Sequence, residues 1–245
     1  MMKIQFRKSS NAAAVPDGKR IYAIGDIHGA AEILDTLLAK IEKDAKGLEN
    51  AQLIFLGDYV DRGPDSKGVI ERLVTFKNDH ESAIFLKGNH EAAMLDFLES
   101  PEEIIEWLEW GGDETLRSYG VAAPLAKSGA DLAADLAKAM PTPHLDFLKN
   151  LVLTHREGDY FFVHAGIRPG IPLDDQEEDD LLWIRGRFHD AYEDERPDET
   201  IVHGHQPRKK PLDAGWRINV DTGACWSGML SAVVLEGNKR RFLST

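Results

Sequence analysis

Three apolar runs, Arg20 to Ile24, Gln52 to Leu56 and Ser82 to Leu86, are each short, rich in Ile, Leu and Phe, and closed by a glycine: Gly25, Gly57 and Gly88. That is the pattern of buried parallel strands. Between them, Ala30 to Lys43 carries Ile33, Leu34, Leu37, Leu38 and Ile41 on one helical face, and Ser66 to Lys77 repeats the pattern with Val69, Ile70, Leu73, Val74 and Phe76. Strand then helix, three times over, predicts parallel strands joined by right-handed crossovers. From about 100 to 150 the chain turns helix-forming throughout. Ile104, Ile105, Trp107, Leu108 and Trp110 precede a Gly111-Gly112 break and an Ala- and Leu-rich stretch, so a helical insertion is expected there. Beyond it, Leu151 to His155 and Tyr160 to His164 read as a hairpin across Arg156 to Asp159, with further strands near Thr200 to Val202, Trp216 to Val220 and Met229 to Leu235. This shift to mainly antiparallel structure predicts a second sheet packed on the first. The fold class is α/β (α+β), two mixed β-sheets in a sandwich flanked by helices.

Chemistry-bearing residues follow directly on the apolar runs: Gly25-Asp26-Ile27-His28-Gly29, Gly57-Asp58-Tyr59-Val60-Asp61-Arg62-Gly63 and Gly88-Asn89-His90-Glu91. Neighbouring strands deliver these groups to one sheet edge, where ligands for a metal can converge. A pair of divalent ions needs hard or borderline ligands from Asp, Asn and His, a carboxylate able to bridge, and open positions for water. Asp26 and His28, two apart, can point the same way, and Asp58 is the natural bridge. Asn89 offers a neutral oxygen. His164, after Phe161-Phe162-Val163, and a histidine of His203-Gly204-His205-Gln206-Pro207 offer nitrogens; spacing alone does not choose between His203 and His205. Two such ions bring four positive charges against two from Asp26 and Asp58, leaving a pocket attractive to phosphate.

Charge makes that local arithmetic necessary. The 245 residues carry a formal net charge of −13 with a pI near 5.1, which argues against nucleic acid or an anionic membrane as partner and opposes an anionic substrate in bulk. Cys225, the only cysteine, excludes an intrachain disulfide and a thiolate cluster. Met1 to Val15 holds Lys3, Arg7 and Lys8 without an apolar core of signal-peptide length, and no run approaches the ~20 residues of a membrane span. A cytoplasmic protein is expected. The scatter of ligands favours one catalytic domain over 1–245, with a polar leader over 1–18 that ends in the turn Pro16-Asp17-Gly18.

These motifs, together with Val163-His164-Ala165-Gly166 and Gly204-His205-Gln206-Pro207, resemble the calcineurin-like metallophosphoesterase superfamily, and within it the bacterial and phage serine/threonine phosphoprotein phosphatases. The resemblance runs from about Arg20 to Leu235. It implies a first metal on Asp26, His28 and Asp58, and a second on Asp58, Asn89, His164 and His205. It also implies His90 as general acid, Asp61 as the carboxylate orienting it, and Arg62 with Arg185 as phosphate clamps, Arg187 being the alternative to Arg185. The implied activity is metal-dependent hydrolysis of phosphoserine and phosphothreonine in proteins by direct attack of a hydroxide shared by two ions. Mixed Asp, Asn and His ligation permits manganese, iron or zinc, with manganese expected to serve in vitro. The partner is a phosphorylated protein or peptide, and the oligomeric state is left open. Symmetrical diadenosine tetraphosphate hydrolysis, or that of another nucleotide, is the second enzymatic reading; a phosphopeptide-binding scaffold is the non-enzymatic one. Asn219 to Ala224 lacks the tyrosine-containing loop of eukaryotic members.

Other features have ordinary readings. His144, His155 and His189 are expected to be non-ligands, Trp107 and Trp110 to pack a helix face, and Gly111-Gly112 to be either an active-site loop or a helix stop. The acidic run Asp174 to Asp180 reads as a solvated loop, or as a repulsive flank that favours basic phosphopeptides.

Overall fold

The opening apolar runs form β1 (Arg20–Ile24), β2 (Gln52–Phe55) and β3 (Ile84–Phe85), paired in parallel in that order. The computed structural model describes residues 12–47, 49, 51–124 and 127–245, so positions 1–11 of the expected leader lie outside the described residues. The links are α1 (Ala31–Ala45) and α2 (Ser66–Asp79), with α3 (Asn89–Glu99) after β3. At the start of α2 the Asp65 carboxylate accepts the Gly68 N–H at 2.8 Å, satisfying a donor that has no partner within the helix.

The expected helical insertion is a 3-10 helix at Ile105–Trp110 followed by α4 (Gly112–Ser118), α5 (Gly129–Ala139) and α6 (Thr142–Lys149). The chain then builds β4 (Thr154–Glu157), β5 (Tyr160–Val163), α7 (Glu178–Trp183), α8 (Gly186–His189), β6 (Thr200–His203), β7 (Leu212–Asp213), β8 (Arg217–Asn219), α9 (Ala224–Ser227), β9 (Ser231–Glu236) and β10 (Lys239–Ser244). One sheet runs β10-β9-β1-β2-β3, the other β4-β5-β6-β8-β7.

The second half departs from the expected antiparallel run. In the second sheet β5, β6 and β8 pair in parallel and only the edge strands β4 and β7 are antiparallel to their neighbours; β9, antiparallel to β1 and β10, joins the first sheet, so the strand expected near Met229 to Leu235 does not belong to the second. The long connection between β5 and β6 carries α7 and α8 and works as a crossover, which a parallel pair requires. The hairpin β4–β5 does form, but from Thr154; Val152, expected in that strand, bridges Leu86 beyond β3 instead.

Alternation along the strands sorts the core into layers. Ile21, Ala23, Ile54, Val233 and Leu235 of the first sheet meet Tyr160, Phe162, Val202 and Ile218 of the second, and Val15 joins this inter-sheet core. Tyr22, Ile24, Leu53 and Phe55 face the helices, including Leu116, Leu132 and Leu148 of the insertion. Phe161, Val163 and Ile201 cover the far side with Leu181 and Phe188. Among the described residues no helix is long and apolar enough to cross a membrane.

Candidate metal centre and catalytic cleft

The functional side chains leave the carboxyl ends of strands of both sheets. Asp26 and His28 follow β1, Asp58 follows β2, and Asn89 and His90 open α3 after β3; His164 follows β5 and His205 follows β6. All seven are buried. Ligand atoms of His28, Asp58 and His90 lie within 4.8 Å of one another, as do those of Asp58, His164 and His205. Asp58 belongs to both groups, the position expected of a bridge. Asn89 Oδ1 is 2.9 Å from His164 Nε2 and 2.9 Å from His205 Nδ1. Asp26 stands beside these groups and outside both: its carboxylate accepts the His205 backbone N–H at 3.0 Å. His203 turns elsewhere, against Phe188 and Arg217, so the structure separates the two histidines that spacing could not.

Backbone carbonyls set the imidazoles. His28 Nδ1 donates to Val60 O at 2.8 Å and His164 Nδ1 to Leu56 O at 2.9 Å, which leaves each Nε2 lone pair aimed inward. His90 is held the same way by a side chain, its Nδ1 2.6 Å from Asp61 Oδ2, with Nε2 facing Asp58 Oδ2 at 4.0 Å.

Asp61 is itself held from three sides. Trp107 Nε1 donates to Oδ2 at 2.8 Å, the Thr115 hydroxyl donates to Oδ1 at 2.6 Å, and the Asp61 N–H is shared between Ser66 Oγ and Thr115 Oγ1. Trp107 does pack, tilted at 38° against Phe97 with ring centroids 4.8 Å apart, but its indole N–H donates to Asp61. Trp110 does not fill the packing role expected of it. It is 38% exposed and, edge-on to Trp183, lines a cleft of about 510 Å³ with Arg62, His90, Arg185 and Trp226.

One guanidinium flanks each ligand group. Arg62 Nη1 donates to His28 Nε2 at 2.7 Å, and Arg185 Nε donates to His205 Nε2 at 3.2 Å. Arg187 is occupied in a two-pronged pair with Glu195, so Arg185 is the arginine in the cleft. His144 is a structural histidine, bonded to Tyr119 and Glu71.

A family model for the calcineurin-like phosphoesterases matches residues 19–229. The chain belongs to that family. Of its phosphoesterase relatives, the asymmetrical bis(5'-nucleosyl)-tetraphosphatase PrpE of Oceanobacillus iheyensis is 27% identical over 232 residues, with 87% of each chain covered. Serine/threonine-protein phosphatase 1 of Salmonella typhimurium is 27% identical, covering 89% of this chain and 93% of that one. A solved serine/threonine phosphatase structure from Saccharomyces cerevisiae has the same fold, with a TM-score of 0.60 at 15% identity over 96% of this chain and 84% of that one. The protein is therefore a metal-dependent phosphoesterase, a hydrolase.

The phosphoesterase site also fits its cations electrostatically. Burial, then the neighbouring Asp221 and Asp58 carboxylates, push Asp26 well above the usual carboxylate range. Asp221, 2% exposed, is pushed up to about 6, chiefly by burial. Burial together with His164 pulls His205 down to about 3, so it is a neutral imidazole ready to ligate. Asp58 stands apart: against its burial, His164, His90 and His28 hold it well below the usual carboxylate range, while Asp26 and Asp221 lack positive charge and His205 is neutral, a donor set that divalent ions complete.

Sequence reasoning missed Asp221, Trp107, Thr115 and the role of Glu91. The Glu91 carboxylate, 0% exposed, accepts the backbone N–H groups of Asp58, Tyr59 and Gly88 at 2.9, 2.7 and 2.9 Å and so clamps the loop after β2 that carries Asp58. Its position three residues after the helix-capping Gly88 was the available signal. Trp107 and Thr115 are far from Asp61 in sequence and carried none.

Proposed function

We propose that the chain hydrolyses phosphoserine and phosphothreonine monoesters in proteins, with Asp26, His28 and Asp58 holding one divalent ion, manganese first among candidates, and Asp58, Asn89, His164 and His205 a second. The observation that carries this reading is the buried His90–Asp61 pair, 2.6 Å apart, with His90 in the wall of the cleft. A seryl or threonyl alkoxide is a poor leaving group and needs a proton; a nucleotide phosphate leaves without one. Bound ions would supply a water whose pKa falls from 15.7 toward about 7 and would neutralise phosphoryl charge. The chain's own residues do the rest. Arg62 and Arg185 grip phosphoryl oxygens, a task suited to guanidinium geometry. His90, oriented through Nδ1 by Asp61, donates from Nε2 to the departing oxygen. The partner is then a phosphorylated protein or peptide.

A second reading, dinucleoside tetraphosphate hydrolysis, is favoured by the aromatic cleft mouth. Trp226 is 62% exposed beside Arg62, and Trp110 and Trp183 stand opposite, surfaces on which a base could stack for about 1–3 kcal/mol. The relative's name, bis(5'-nucleosyl)-tetraphosphatase, points the same way. The test strips metal, restores manganese, and compares kcat/KM for a phosphoserine peptide, a phosphotyrosine peptide and diadenosine tetraphosphate. We expect the phosphoserine peptide to lead. A strong preference for diadenosine tetraphosphate would replace the first reading with the second.

A further inference from the structure

The loop that follows His205 carries Arg208, Lys209 and Lys210 in succession, all exposed, and with Gln206 and Pro207 they line a surface cavity of about 550 Å³. Among the described residues none of these three cations has a carboxylate within ion-pair distance, whereas Arg72, Arg156, Arg168, Arg187 and Arg240 are all paired. Behind the loop the positive charge deepens. Arg217 is 6% exposed, faces the rings of Phe188 and Trp216, and has a buried Nε with no hydrogen-bond partner. Arg196 covers the Trp216 ring at 5.0 Å. Asp190 offsets part of the charge at Arg217, yet in a chain of net charge −13 three successive exposed cations without an ion pair call for an explanation.

This patch adjoins the catalytic cleft. Pro207 and the cleft residue Trp226 meet over Gly223, where an added Cβ would stand 3.4 Å from Pro207 Cβ and 3.2 Å from Trp226 Cε3. The Arg208 N–H donates at 3.0 Å to the carbonyl of Asp221, whose side chain is one of the buried carboxylates of the site. On the other flank, three carboxylates of the acidic run expected to repel acidic substrates are engaged: Asp174 with Arg156, Glu178 with Lys87 and Asp180 with Arg168.

The geometry points to an anion subsite at Arg208, Lys209 and Lys210 that selects phosphopeptides bearing a second negative group, a carboxylate or another phosphate, close in sequence to the scissile phosphate. This rests on the phosphoprotein reading above. Exposed ion pairs are individually weak, so the preference is expected to be roughly 10-fold in kcat/KM at low ionic strength and to fade with salt.

The experiment uses the manganese-loaded full chain and phosphoserine peptides matched except for flanks that are neutral, Lys-rich, Glu-rich or carry a second phosphoserine. The readout is the ratio of kcat/KM for each anionic-flank peptide to that for the neutral one, so any general loss of activity cancels. The ratio is expected near 10 in the parent and near 1 or below in the Lys209→Glu/Lys210→Glu variant; the Glu-rich and doubly phosphorylated arms separate carboxylate from phosphate as the group read. An equal ratio in parent and variant, or a parent that favours Lys-rich flanks, overturns the subsite while leaving the phosphoprotein reading intact. Turnover of no peptide alongside turnover of diadenosine tetraphosphate overturns both.

Discussion

At the scale of single residues, His90, the proposed proton donor, is the sharpest point of attack, because a donor's contribution depends on the substrate and not only on the protein. His90→Asn removes the donor. For an alkyl phosphate such as phosphoserine the loss should be roughly 10²- to 10⁴-fold in kcat, while an aryl phosphate, whose leaving group needs no proton, should lose far less. Trp107→Phe keeps the ring packed against Phe97 but deletes the N–H that Asp61 Oδ2 accepts at 2.8 Å. A hydrogen bond to a charged group contributes about 1.5–3 kcal/mol, so a loss of roughly 10- to 150-fold is expected, again on the alkyl ester and not on the aryl one. A Trp107 that only fills space would lower both rates together, and equal losses would remove it from the positioning role. The contrast also marks what was legible at this scale. Asp26, His28, Asp58, Asn89 and His90 sit in motifs a few residues long beside their strands, so local spacing exposes them. Trp107 and Thr115 reach Asp61 across some fifty positions, through packing that no local pattern encodes.

The elements hold these residues in backbone conformations that side chains seldom adopt. Among the described residues, the non-glycine positions with positive φ are His28, Lys46, Asp58, Asp61, Arg62 and His205, and all but Lys46 belong to the site. Such conformations cost about 1–3 kcal/mol each and persist where surrounding structure over-determines them. Part of that constraint comes from the insertion. Gly111, φ +108, accepts the Arg62 N–H at 3.1 Å, and a Cβ there would stand 2.6 Å from Arg62 N. Gly111-Gly112 thus both ends the 3-10 helix and seats Arg62, the proposed phosphate clamp. Gly111→Ala should lower kcat/KM by about 10-fold or more, since small misplacements of positioning groups can cost 10²-fold, and should lower Tm as well. Gly120→Ala is the control: φ is +80 there with nothing within 4 Å of an added Cβ, so Tm should fall and kcat/KM hold. Equal activity in both variants would show that the insertion does not set Arg62. Among the elements themselves, β1, β2, α1 and α2 were readable because burial on one or both faces writes a period into the sequence. β10 was not: Lys239, Arg240 and Arg241 lie on a largely exposed edge strand, and exposure erases the period.

Across the whole molecule, the ligand groups bind the two sheets to each other. Asp26, His28 and Asp58 come from the first sheet's strand ends and Asn89 from the helix after it, while His164 and His205 come from the second. Ions seated among them join elements that are otherwise held by the apolar layer between the sheets. They bind the native arrangement and not the unfolded chain, in which these six residues are scattered. A site filled at 100 times its dissociation constant therefore contributes about 2.7 kcal/mol to stability. For a chain of this size each kcal/mol corresponds to roughly 2–4 °C in Tm, so chelation should lower Tm by about 5–10 °C for each ion lost, and manganese should restore it. The loss should be blunted in His164→Ala and His205→Ala, whose second group is already broken, and both variants should start from a lower Tm in manganese than the parent. The measurement is thermal unfolding with chelator and with manganese, free of any assay of turnover. A parent whose Tm ignores both would mean that these buried carboxylates and imidazoles do not take up ions at all, and the electrostatic argument for the site would fail with it.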